Sequence, residues 1–184
     1  MIRWLIWIVG GALLGGIVHF VTVLALPQTA THDAYTRIAA LAPINTVTAL
    51  PQPTPQSAVL PLMDPAFAAS VCRFDLTDGP MKLSLAVNQA YTAVSFYTRR
   101  GVAFYAINDR AAGRRVIELD LMTKEQKSAL PEDQDVTAAD RLIVEAPTPT
   151  GMIVFRALAP EPSLMPAAQA TVAAGRCIIQ PQPQ

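Results

Sequence analysis

From Trp4 to Leu26 the chain runs almost unbroken through apolar residues, with Arg3 ahead of the run and Pro27 closing it. Roughly 20 apolar residues at about 1.5 Å rise each cross a hydrocarbon core about 30 Å thick, so this stretch is long enough to span a bilayer as a helix. A cleaved secretory signal would have a shorter apolar core, about 7–15 residues, ending in a small-residue site. Val23, Leu24 and Ala25 offer a weak site of that kind, but it lies inside the apolar run. Residues 1–27 are therefore expected to form a retained transmembrane anchor. Arg3 and the free amine favour a cytoplasmic N terminus with the remainder exported, while Arg37 and His32 on the far side partly balance them. No arginine pair precedes the run and no cysteine follows it closely, which argues against twin-arginine export and lipid attachment.

Within the span, Gly11, Gly15 and His19 recur every four residues and share one helical face, with Ala12 and Gly16 forming a second small pair. Missing side chains let another helix approach closely, and an imidazole can hydrogen-bond across such a contact. Helix-helix association through the anchor is one reading. The other is that glycine is common in membrane helices and that His19 lies close enough to the outer interface to reach water. No second ionisable group in the span completes a proton relay.

An exported location changes the meaning of the two cysteines. In an oxidising compartment, Cys72 and Cys177 with no third competitor are most simply a disulfide. Two thiols alone do not complete a zinc site, and the two histidines are His19 in the span and His32 just beyond it, so no metal and no cofactor is expected. The chain is 52% hydrophobic and carries no net charge, which fits a tethered folded domain and gives no electrostatic reason to expect nucleic acid.

Residues 28–63 read as a juxtamembrane helix over 31–42, with Ala34, Ile38 and Leu41 on one stripe, followed by a proline-rich arm. Prolines at 43, 51, 53, 55 and 61 forbid a continuing helix or inner strand, and the interspersed Ile44, Val47, Leu50, Val59, Leu60 and Leu62 favour an arm lying on the domain over a free spacer. The domain proper is expected over 64–184. Asp64 and Pro65 look like a short helix start. After Cys72 the pattern changes to period two: Phe74 and Leu76, Leu83 to Val87, Tyr91 to Tyr97, Val102 to Ile107, Val116 to Leu121, Arg141 to Ala146 and Gly151 to Leu158 read as strands. Turn residues separate them, among them Asp78-Gly79-Pro80 and Arg99-Arg100-Gly101. Thr123 with Gln126 resembles a capping box, and a last helix is expected from about Leu164 to Ala174. The fold class expected is α+β, mainly antiparallel β, as a meander closed into a sandwich or partly open barrel, with short flanking helices and one N-terminal transmembrane helix.

The stretch Val71 to Leu76, then Gly79 to Leu83, Tyr91 to Tyr97 and Val102 to Asn108, resembles the family called domain of unknown function 1254 in its short membrane-anchored bacterial form. The likeness is strongest over residues 64–120. It is a pattern of strand residues and carries no catalytic signature. The resemblance implies a bacterial inner-membrane protein with a periplasmic domain. It also implies a separate partner carrying a domain of unknown function 1214, for which this chain has no room.

Two polar features remain. Arg99, Arg110 and Arg114 form a basic set that, gathered with Tyr91, Tyr97 and Tyr105, would suit a carboxylate, a phosphate or a small apolar molecule. The plainer reading puts these arginines in solvated turns, neutralised by Glu132, Asp133, Asp135 and Asp140, and the tyrosines in the core and its rim. No serine sits in a nucleophile elbow and no histidine lies in the domain to act as its base, so no catalytic residue is expected. A non-catalytic envelope protein that docks with a membrane-anchored partner stands against a periplasmic binding or enzymatic domain using the arginine and tyrosine set.

Overall fold

A computed structural model describes residues 1–29, 33–112, 115–130 and 142–180 and divides the chain into two compact units, Met1–Asp33 and Ala34–Gln184. The first unit is the helix α1, Ile2–Thr29. It continues two residues past Pro27, since a proline in the last turn removes one hydrogen bond without interrupting the turns before it. Its large apolar residues, from Trp4 to Leu24, are exposed, and none of the apolar span is buried among the described residues.

The second unit is a two-sheet sandwich. One sheet has the order β1-β2-β8-β4-β5, built from Val47–Ala49, Phe67–Asp75, Thr150–Leu158, Thr92–Thr98 and Ala103–Asn108. The other has the order β7-β6-β3-β9, built from Leu142–Ala146, Val116–Thr123, Met81–Ala86 and Arg176–Ile179. Every pairing is antiparallel except β6 with β7, which runs parallel from Leu119 opposite Leu142 to Thr123 opposite Ala146. The order corrects the expected meander. β2 pairs along its whole length with β8, Phe67 opposite Leu158 through Asp75 opposite Thr150, although some 75 residues separate them in sequence.

Period-two alternation turns one face of each sheet inward. Cys72, Phe74, Phe96, Ile153 and Phe155 from the first sheet meet Met81, Leu83, Leu85, Ile117 and Leu121 from the second, all buried in one cluster. The side of β2 that carries Cys72 faces β9, and a disulfide joins Cys72 to Cys177 with the Cα atoms 6.7 Å apart. It therefore links the two sheets through their core. Gly151 marks where the packing is tightest: a Cβ there would lie 2.5 Å from Phe74 Cζ and closer still to the Tyr97 carbonyl oxygen. Only glycine fits between a core ring and the neighbouring strand.

Short helices finish the unit. Ala34–Ala39 forms α2 and Asp109–Ala112 forms α3. Lys124–Ser128 forms α4, opened by the expected capping box: Thr123 Oγ1 accepts from the Gln126 amide while Gln126 Oε1 accepts from the Thr123 amide. Met165–Ala173 forms α5, which buries Ala168 and Val172 and accepts a hydrogen bond from the buried Ser70 hydroxyl at 2.7 Å. The helix expected at Asp64 and Pro65 is not formed. Asp64 instead caps a turn through the Ala66 amide, and β2 starts at Phe67 because full-length pairing with β8 outweighs a local start signal. Two short strands, β1 and β9, had no expectation; each pairs over three or four residues at a sheet edge.

Candidate functional site

The outer face of the five-stranded sheet carries the polar features. Because side chains alternate, Val71 and Arg73 on β2 project opposite to Cys72 and Phe74. Register puts Arg73 beside Met152, and Met152 beside Tyr97. The segment 34–42 lies over this row. Ile38 and Ala42 are buried with Val71 and Met152, and Tyr35, Leu50, Leu60 and Tyr97 pack around them. The proline-rich arm thus contributes Leu50 and Leu60 to the surface of the domain, within the compact unit that begins at Ala34.

Arg73 holds this layer together. Its Nη1 donates to the carbonyls of Ala42 at 3.1 Å and Ala39 at 3.5 Å, its Nη2 donates to the Tyr35 hydroxyl at 3.3 Å, and its guanidinium carbon stands 4.8 Å from the Tyr35 ring centroid. A cation at the C-terminal carbonyls of a helix also answers the negative end of the helix dipole. Its Nε–H is buried with no acceptor among the described residues, so the two Nη groups and the ring secure the side chain. On the same ring, Arg99 stands 5.5 Å from the centroid. Arg73 carries no motif in the sequence. Its only signal is a lone cation alternating with Cys72 and Phe74 on a strand.

Among the described residues, the structure places the predicted arginines and tyrosines at separate points of the sheet. Arg99 lies in the β4–β5 turn, where Thr98 and Val102 close the loop and Gly101 takes φ +78°. Arg110 lies on α3, at the other end of the same hairpin, a strand of six residues and roughly 20 Å away. Tyr97 joins the layer near Tyr35, whereas Tyr91 meets Phe67 edge-on at 6.3 Å at the opposite end of the sheet. Tyr105 packs inward against Phe96 at 5.8 Å. Arg114, with Glu132, Asp133, Asp135 and Asp140, lies outside the described residues.

A shallow groove of about 490 Å³ runs between β1 and α5, lined by Leu50, Gln52, Ala69, Gln169 and Val172, with no charged group on its walls. Gln52 is already engaged, its amide donating to the Pro65 carbonyl at 2.5 Å. Among the described residues no three His, Cys, Asp or Glu side chains gather to hold a metal ion. On α1, a Cβ at Gly11 or Gly15 would meet nothing within 4 Å, and His19 has the ring of Phe20 beside it at 6.3 Å.

A family model described as a protein of unknown function (DUF1254) matches residues 44–178. No curated protein matches the chain. Among solved structures, the VPA0106 protein from Vibrio parahaemolyticus superposes with a TM-score of 0.58 at 12% identity, covering 82% of this chain and 38% of its own. An uncharacterized protein from Burkholderia cenocepacia gives a TM-score of 0.47 at 13% identity over 72% of this chain and 35% of its own. At these identities the first likeness concerns the fold alone. This chain spans well under half the length of either.

Proposed function

This chain belongs to the DUF1254 family, and on that basis we propose that it is a single-pass protein of the bacterial inner membrane whose periplasmic sandwich is a non-catalytic docking module for a second membrane-anchored protein. The observation that carries the reading is α1: a candidate span of 25 residues, Ile2–Leu26, with none of it buried inside the protein. A helix apolar on all sides is stable in lipid and costly in water. Arg3 ahead of it supports a cytoplasmic N terminus, and the Cys72–Cys177 disulfide supports an oxidising compartment for the sandwich.

The partner is a protein with a domain of the unknown-function 1214 type. Gly11, Gly15 and His19 provide one contact face, in the membrane. A non-catalytic role accords with a domain that has no histidine to serve as a base.

The test is mild detergent extraction of the tagged full chain from bacterial membranes, followed by identification of what elutes with it. Recovery with a second membrane protein, lost when Gly11 and Gly15 are both replaced by leucine, is the expected result. Recovery only as an isolated monomer overturns the docking role. A reporter fused after Gln184 that is active only in the periplasm tests the orientation separately.

A further inference from the structure

We infer that the α2 end of the sandwich carries a lipid-docking surface, formed by Arg37 with the Arg99-Arg100 turn, that rests on the anionic headgroups of the membrane holding α1. The inference depends on the membrane-anchored reading above and adds to it which surface of the domain meets the lipid.

Four observations converge on this end. Only residues 30–33 separate α1 from α2 in sequence, so α2 is the element of the domain with the least chain between it and the bilayer. It is also fastened: Arg73 binds its terminal carbonyls, and Ile38 and Ala42 are buried beneath it. Arg99 stands over the Tyr35 ring, which brings the β4–β5 turn to the same end as α2. Finally, α2 and the turn together present three exposed arginines, Arg37, Arg99 and Arg100, against the single carboxylate of Asp33 just ahead of α2.

Beside these cations, Leu41 and Ile44 are each 49% exposed, immediately after α2. Exposed cations flanked by isolated aliphatic side chains suit a headgroup layer, where guanidinium groups pair with phosphate and short apolar groups reach the acyl boundary.

The full chain reconstituted into lipid discs tests this by amide hydrogen exchange. In discs containing phosphatidylglycerol, residues 34–44 and 98–102 should exchange more slowly than in discs of phosphatidylcholine alone. Replacing Arg37, Arg99 and Arg100 by glutamine should reduce the docked population by roughly fivefold per arginine. Added salt should act in the same direction. Trp4 and Trp7 are the only tryptophans and both lie in α1, so their quenching by brominated lipid reports insertion independently. Equal exchange in both lipids with the tryptophans quenched overturns lipid docking and leaves the anchor standing. Unquenched tryptophans overturn the anchor itself. Protection that ignores lipid charge but rises with the number of chains per disc assigns the surface to a second copy and also overturns the proposal.

Discussion

Gly15 and Gly151 are the same residue in opposite surroundings. Around Gly15 an added methyl would meet no heavy atom within 4 Å among the described residues. Around Gly151 the space is already taken by Phe74 and the backbone of β4. In the helix, the absent side chain leaves room for something outside the molecule. In the sandwich it lets two parts of the molecule touch. Apolar residues divide the same way, open on α1 and enclosed between the sheets.

Substitution at the two glycines is the strongest way to break that contrast. Gly151→Val should cost on the order of 5 kcal/mol, beyond ordinary overpacking, because one clashing atom is a backbone oxygen fixed in the sheet. Gly15→Val should leave the thermal midpoint of the domain unchanged in the same detergent, and equal losses would erase the distinction. Next in size, replacing Cys72 and Cys177 together by alanine should lower stability by about 3 kcal/mol in a denaturant melt. Reductant should have no further effect on that variant.

Arg73→Met sharpens the contrast within the sandwich itself. Losing the bonds to Ala39, Ala42 and Tyr35 should cost roughly 1–2 kcal/mol, felt locally. Amide exchange should quicken in residues 34–42 while β2, β8 and β4 stay protected; uniform acceleration would show that this layer and the core are one cooperative unit.

The smallest effect concerns pH. Hydrogen bonds from its own backbone amide and from Thr123, with Lys124 nearby, hold the exposed Glu125 carboxyl below its ordinary value. A carboxyl depressed in the folded state adds stability above its unfolded pKa of about 4.3 and loses it as pH falls through the lower folded value. Glu125→Gln should therefore lower the melting midpoint slightly at neutral pH and converge with the parent chain in acid, which flattens the acid limb.

What could be read from the sequence follows the range of the forces involved. The apolar span, the period-two strands, the Thr123–Gln126 capping box and the turn at Gly101 are each decided within a few residues, and each appears where expected. The partner of β2 is decided by a strand some 75 residues away, so local spacing suggested a meander that does not exist. β9 is too short for its alternation to register. For the arginine set, the separation of Arg99 from Arg110 was legible in principle, since the six-residue strand between them holds its ends apart. The clamp at Arg73 was not, because α2 meets β2 only in the folded domain.

The strand order also sets a timetable for biosynthesis. β8 is the central strand of its sheet, flanked by β2 and β4, and β9 supplies the cysteine that ties the sheets together, yet both are made last. While the ribosome works through β3 to β7, β2 has neither its long partner nor its thiol partner. A chain synthesised from its N terminus must therefore keep Phe67–Asp75, with its alternate apolar residues, paired with nothing longer than β1 until nearly the whole domain has emerged. Whatever receives this protein during synthesis has to shield that one strand longest.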